Sequence, residues 1–208
     1  MPPVRDTKEL LLDAAEHLFA RDGIQGALVR EINELAGQRN PSALHYHFGS
    51  REGLLSAIML RHQAEIDKAV EHRLDELERA GDPAVRDVIA AVVEPMVELL
   101  KTQSGRNWAR IVPQILPIHS DNLRLGVLQP TTPQMHRVLE LLRARIAHLP
   151  ETLQRERLVD YGIVLAALIA ERAHHVETVP HPALGDAQFA DHLVDVLDAI
   201  LAAPSSAS

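Results

Sequence analysis

Cysteine is absent from the 208 residues, which removes disulfides, thiol nucleophiles and cysteine-type zinc sites together. The ten glycines never assemble a GxGxxG turn or a phosphate loop, no GxSxG elbow or HExxH pair occurs, and the carboxylates are scattered without a defensible pairing. Enzyme chemistry therefore has no recognisable carrier. Long apolar stretches are missing too. The longest strictly apolar run, Ile163 to Ala170, falls far short of the roughly 20 residues a membrane span needs. The amino terminus places Asp6, Glu9 and Asp13 where a signal peptide requires an apolar core, so a cytoplasmic protein with no membrane partner is expected. Twelve histidines include no pair spaced by three or four. Glu171 with His174 or His175 could bind a metal on one helix face or form an ordinary hydrogen-bonded cluster; neither a metal nor a cofactor is expected.

Strand patterns are absent, and the apolar positions recur at helical spacing. The periodicity predicts an all-α chain with helices near 6–22, 28–36, 41–47, 51–79, 83–103, 105–116, 131–149, 151–177 and 186–203, and a short turn near 120–126. Asp82-Pro83 and Thr132-Pro133 read as cap plus first helical position. Pro95, inside an apolar helix, reads as either a break or a kink bordering a cavity.

Residues 24–52, IQGALVREINELAGQRNPSALHYHFGSRE, read as two short helices around a glycine turn followed by the start of a third. Val29, Ile32, Leu35 and Ala36 mark the buried face of the first, with Arg30, Glu31, Asn33 and Glu34 on the wet side. Gly37 ends it in a left-handed conformation, and Asn40 then Pro41 supply the cap and first position of the next helix. That second helix buries only Ala43, Leu44 and Phe48, leaving hydrogen-bonding chemistry outward, as a helix entering a DNA groove does. Net charge argues less strongly: the chain carries −8 overall, and residues 1–55 hold six basic against eight acidic side chains. From Gly37 to Arg51, however, two arginines and two histidines meet no carboxylate, giving a weakly positive local field and a shallow salt dependence of binding.

The segment GQRNPSALHYHFGSREGLL resembles the recognition segment of TetR-like transcriptional regulators, with Leu44, Phe48, Ser50, Arg51 and Glu52 in the family's order. LFARDGIQGA, with Phe19, Gly23 and the stretch Val29-Arg30-Glu31-Ile32, is similar to the family's first helix and turn, so the match covers residues 8–58. Two features depart from it. Ala27 and Leu28 stand where the family has a capping Thr or Ser, and one extra residue lies between Gly37 and Leu44. The resemblance implies an N-terminal three-helix helix-turn-helix domain over 1–50 and a larger helical ligand-binding and dimerisation domain over 51–208. Within the latter, 51–79 would connect the two, 151–203 would form the dimer helices and 204–208 a disordered tail.

Function is then expected to be that of a homodimeric, sequence-specific repressor released from a near-palindromic double-stranded operator when a small, largely apolar effector binds. The alternative is an all-helical protein-interaction module without sequence-specific DNA binding. Arg39, Asn40, Ser42 and His45 are the candidates for base edges, and Tyr46, His47 and Arg51 for phosphates, aided by the amino end of the helix after Ser50. For the effector, Met96, Leu100, Trp108, Ile111, Ile115, Met135, Leu139, Tyr161 and Leu165 are candidate lining, with Gln103, Asn107, His119 and His136 as polar anchors; such residues are also ordinary core. For the dimer, small and apolar residues on the last two helices are candidates, Gly162, Ala166, Ile169, Phe189, Leu193, Val196, Leu197 and Ile200. The same helices could instead lie wholly inside one core.

Overall fold

The computed structural model describes residues 6–40, 42–124 and 132–205, without the side chains of 117–124. Among these the secondary structure is helical throughout: α1 Thr7–Asp22, α2 Val29–Leu35, α3 Ala43–Phe48, α4 Arg51–Ala80, α5 Val85–Leu99, α6 Gln103–Arg124, α7 Pro133–Arg145, α8 Glu151–Thr178 and α9 Asp186–Ala202. The all-α expectation holds, and most boundaries fall within two or three residues of the periodicity.

The departures have physical causes. Instead of ending near 116 with a separate turn at 120–126, α6 continues through Pro113 and Pro117 to Arg124. Its packing on α8 along one side and α1 on the other offsets the backbone bonds that the prolines remove. Pro95 likewise lies inside a continuous α5 and does not break it. That helix begins at Val85, after an Ala84 cap with no side-chain bond, so Asp82-Pro83 is not its cap. Thr132 does cap α7, accepting from the Met135 N–H at 3.2 Å. The expected 83–103 helix stops at Leu99 because the chain turns sharply there. Thr102 Oγ accepts from the Gly105 N–H at 2.9 Å, and a Cβ on Gly105 would stand 2.0 Å from the Leu99 carbonyl oxygen. Only glycine lets α6 start so close to the end of α5.

Two hydrophobic clusters form. The larger draws on α4, α5, α6, α7, α8 and α9, around Val70, Leu74, Ile89, Val93, Leu142, Ile169, Leu193 and Leu197. The smaller is built on α1, α2 and α3 but extends past residue 50 to take in Leu54 and Ile58 of α4 and Ile111 of α6. A single stripe on α4 serves both: Leu54, Ile58, His62, Ile66, Val70 and Leu74, spaced by four, are all buried. Helix α6 is also bonded to the smaller unit, since Gln114 Oε1 accepts from the Ile24 N–H at 2.8 Å and Gln114 Nε2 donates to the Phe19 carbonyl at 3.3 Å.

Arginines cross-link the larger bundle. Arg157 Nη1 donates to the Leu201 carbonyl at 2.6 Å, Arg172 pairs with Asp186 at 2.8 Å, and Arg137 bridges Asp75 and Glu78, each at 2.7 Å. Glu177 of α8 accepts from Gln103 at 2.9 Å, Arg106 at 2.8 Å and Arg110. Burial alone would push this carboxyl up, but the three donors outweigh it and hold it at about 2, against an ordinary 4.5.

Two predictions follow from these contacts. Ile111→Ala, although in the C-terminal half, should destabilise the N-terminal helices by about 2–5 kcal/mol through the cavity it leaves, read as lost hydrogen-exchange protection in α1; unchanged protection there would mean that α6 does not support that core. Because the Glu177 carboxyl titrates below its ordinary value when folded, its contribution is present above about pH 4.5 and is lost as pH falls toward 2. It amounts to no more than about 3 kcal/mol. In denaturant titrations Glu177→Gln should therefore be less stable than the parent at neutral pH, with the gap closing below pH 4.

Candidate DNA-reading site

The two short helices are held by local chemistry that the sequence encodes. Gly37 takes φ +68°, the Gln38 N–H reaches the Asn33 carbonyl at 2.8 Å and the Gly37 N–H that of Glu34 at 3.0 Å. This is the paired bonding of a Schellman ending. Pro41 lies outside the described residues, and the cap of α3 is Ser42, with no side-chain bond, not the expected Asn40; Asn40 instead forms the turn leading in, its Oδ1 accepting from the Ser42 N–H at 3.0 Å and its carbonyl from the Ala43 N–H at 3.1 Å. Gly49, at φ +74°, ends α3, and Ser50 caps α4 through Oγ, which accepts from the Gly53 N–H at 3.1 Å. No side chain caps α2 at Leu28, in line with the missing Thr or Ser.

The buried face of α2 differs from the expected one. Ile32, Asn33 and Ala36 are buried, whereas Leu35 is 55% exposed and Val29 37%. At about 100° per residue the buried stripe is rotated toward Asn33, which carries Leu35 off it. Val29 sits at the open end, at the first helical position. In α3, Ala43 and Leu44 are buried and Phe48 half-buried, as expected, with the Lys8 ammonium 6.0 Å from the Phe48 ring centroid.

Of the DNA candidates, Arg39, Asn40, Ser42, His45 and Tyr46 are exposed, Tyr46 at 83%. His47 is half-buried, with its ring set edge-on to Tyr46 at 5.0 Å. Arg51 is different. Its Nη1 donates to the Ile24 carbonyl at 2.5 Å, tying the start of α4 to the turn after α1. One donor of the guanidinium is thus used in a tether inside the fold. The amino end of α4 is also occupied: bonds from its own backbone N–H and the Ser50 hydroxyl hold the Glu52 carboxyl below its ordinary range, placing a negative charge where a phosphate would approach.

The candidates for the effector site are not brought to one place. Leu100, Trp108, Tyr161 and Leu165 are buried in the larger core, with Met96 packed against it. Ile111 and Ile115 belong to the smaller core instead. Gln103 is exposed and bonded to Glu177 and to the buried Asn107, the latter at 3.1 Å. Met135 and Leu139 are half-buried and His136 is exposed, while the His119 side chain lies outside the described residues. Among the dimer candidates, Ile169, Leu193 and Leu197 fill the protomer's own core and have no surface left for a partner. Gly162, Ala166, Phe189, Val196 and Ile200 keep part of theirs, and Ile163, 36% exposed, joins them. Phe189 is covered on one face by the Arg172 guanidinium, 5.0 Å from its centroid.

One cluster escaped the sequence reading. His62 and Glu16 are both buried, and His62 Nε2 lies 2.7 Å from Glu16 Oε2, joining α4 to α1. Ser104 Oγ of α6 is 3.3 Å from the same nitrogen. Arg61 stands beside the pair, 3.8 Å from Glu16 and 2.8 Å from Asp13. The signal was legible: His62 is the one polar member of an otherwise apolar stripe spaced by four.

Comparison with known proteins agrees with this geometry. Residues 11–58 match the family described as bacterial regulatory proteins, tetR family. The chain is 28% identical over 180 residues to the HTH-type transcriptional repressor AcnR of Corynebacterium diphtheriae, covering 77% of this chain and 94% of that one. In fold it is similar to a tetR-family transcription regulator of Shewanella sp. PV-4, with a TM-score of 0.51 and 19% identity over 95% of this chain and 96% of the other. It is also similar to a transcriptional regulator of Pseudomonas aeruginosa PAO1, with a TM-score of 0.51 and 18% identity over 94% and 90%. Residues 11–58 thus carry the DNA-binding segment of the tetR family of bacterial regulatory proteins, and by that segment the chain is a DNA-binding transcription regulator.

Proposed function

We propose that the protein is a homodimeric repressor that reads a near-palindromic operator with α3 and leaves it when a small, largely apolar effector enters the C-terminal bundle. The observation that carries this is the outer surface of α3 and its leading turn. Arg39, Asn40, Ser42, His45 and Tyr46 stand exposed together on a short helix anchored by Ala43 and Leu44, and no carboxylate occurs between Gly37 and Arg51. Arginine and asparagine can each bond a base edge in bidentate fashion, to guanine and adenine respectively. Ser42 and His45 add less selective contacts, and Tyr46 and His47 suit phosphates. A two-fold dimer places two such helices about one DNA turn apart, and the part-exposed faces of α8 and α9 around Ile163, Ala166, Val196 and Ile200 are apolar enough to pair two copies. The relative AcnR is named a transcriptional repressor, which favours repression over activation.

Selection of binding sites from random duplex DNA at about physiological salt tests the proposal. Enrichment of a near-palindrome is expected; a folded protein that enriches nothing would support a helical interaction module instead. Two substitutions then separate contact from scaffold. Tyr46→Ala removes an exposed ring and should lower affinity for the selected duplex with stability changed by no more than about 0.5 kcal/mol. Arg51→Ala removes a tether and should lower the melting temperature of the N-terminal helices, since a hydrogen bond from a charged group contributes about 1.5–3 kcal/mol. If Arg51→Ala left stability untouched and weakened all duplexes alike, the phosphate role would be restored.

A further inference from the structure

We infer that the effector of the proposed regulator carries a hydroxyl group, and that this group is held between α4 and α6 by His62 Nδ1 and Trp108 Nε1. The inference rests on the regulator reading and names the ligand chemistry of its effector site. His62 and Trp108 are 3% and 4% exposed, and neither His62 Nδ1 nor Trp108 Nε1 has a hydrogen-bond partner among the described residues. Buried polar atoms left without partners are uncommon and call for an explanation. These two belong to neighbouring rings, with centroids 5.9 Å apart and planes tilted by 40°. A single hydroxyl can accept one hydrogen bond and donate another, so one such group between these neighbouring rings would satisfy both atoms.

The chemistry of the two atoms selects the ligand group. The indole N–H only donates. On the imidazole, Nε2 faces the Glu16 carboxylate at 2.7 Å, which only accepts, so Nε2 carries the hydrogen and Nδ1 is left as an acceptor. The bound group must accept from Trp108 and donate to His62. A hydroxyl does both; a ketone only accepts and an ammonium only donates. Close packing here means that the surrounding side chains part to admit the ligand, as in sites opened by the ligand itself.

The position also provides a route to the DNA-reading unit. The imidazole that would bind the ligand through Nδ1 holds Glu16 of α1 through Nε2, and the ring stands on the α4 stripe shared by both cores. Turning the ring to meet a ligand strains its bond to α1.

The test uses the full chain and three eight-carbon probes, 1-octanol, 2-octanone and octylammonium, with the rise in melting temperature and the fluorescence of the single tryptophan as readouts. Octanol should bind saturably and at least tenfold more tightly than the other two. Trp108→Phe, which keeps the ring and removes the N–H, should abolish the preference in the melting assay, as should His62→Phe; if the latter fails to fold, Trp108→Phe decides. Equal binding of the three probes, no saturable binding of octanol, or an unchanged preference in Trp108→Phe would each overturn the inference. Release of the selected duplex by octanol is measured separately. Octanol binding to a chain that enriches no duplex would remove the regulator reading and leave the hydroxyl site standing.

Discussion

One rigid helix belongs to two hydrophobic cores, and the other contacts follow from that sharing. Thirty residues of α4 extend about 45 Å at 1.5 Å per residue, and the buried positions from Leu54 to Leu74 recur every four residues along it. At that spacing the row winds round the helix by about 40° per step, so Leu74 faces nearly opposite to Leu54, and the upper part of the stripe closes the α1–α3 core while the lower part closes the larger bundle. A helix fixed in both cores cannot shift in one without being felt in the other. Helix α6 adds a second shared member through Ile111 and Gln114, which makes the junction a packed interface and not a hinge.

The placement of charge at this junction is consistent with the same constraint. A buried carboxylate and imidazole are costly unless each finds a partner, and Glu16 and His62 satisfy one another at 2.7 Å. Removing Glu16 would leave His62 Nε2 with only the Ser104 hydroxyl at 3.3 Å, and removing His62 would leave the buried Glu16 with only Arg61 at 3.8 Å. That is a larger penalty than the net contribution of the bond itself. The geometry of α1 against α4 is therefore specified by polar matching as well as by apolar area, which has no preferred direction.

Much of this was legible in the sequence. The helical periodicity, the glycine stop at Gly37, the Thr132 cap and the outward chemistry of α3 all depend on neighbours within one or two turns, which a linear sequence displays directly. The misreadings involve partners distant in the chain. In sequence Arg51 offers only a phosphate role, and its bond to the Ile24 carbonyl, 27 residues earlier, appears only in the fold. Leu35 looks buried until the rotation of α2 against α1 is fixed by Ile32 and Ala36. The end of the sixth helix near 116 is overrun because α6 packs on both α8 and α1 and continues to Arg124. Ile111 and Ile115 appear in sequence as effector lining, and only the crossing of α6 over α1 assigns them to the other core.

The shared helices also bound the energetics of the proposed response to an effector. Coupling between effector and DNA sites typically amounts to about 1–3 kcal/mol, changing affinity roughly 5- to 150-fold. A single buried hydrogen bond to a charged group contributes about 1.5–3 kcal/mol, so weakening the Glu16–His62 bond alone covers the range without unfolding either core. Larger rearrangements would have to break the apolar contacts of Ile58 and Ile111 as well, each of which costs more than the coupling can supply. In the proposed regulator a small displacement at one polar contact, carried along α4, would therefore cost less than a loosening of the domains from each other.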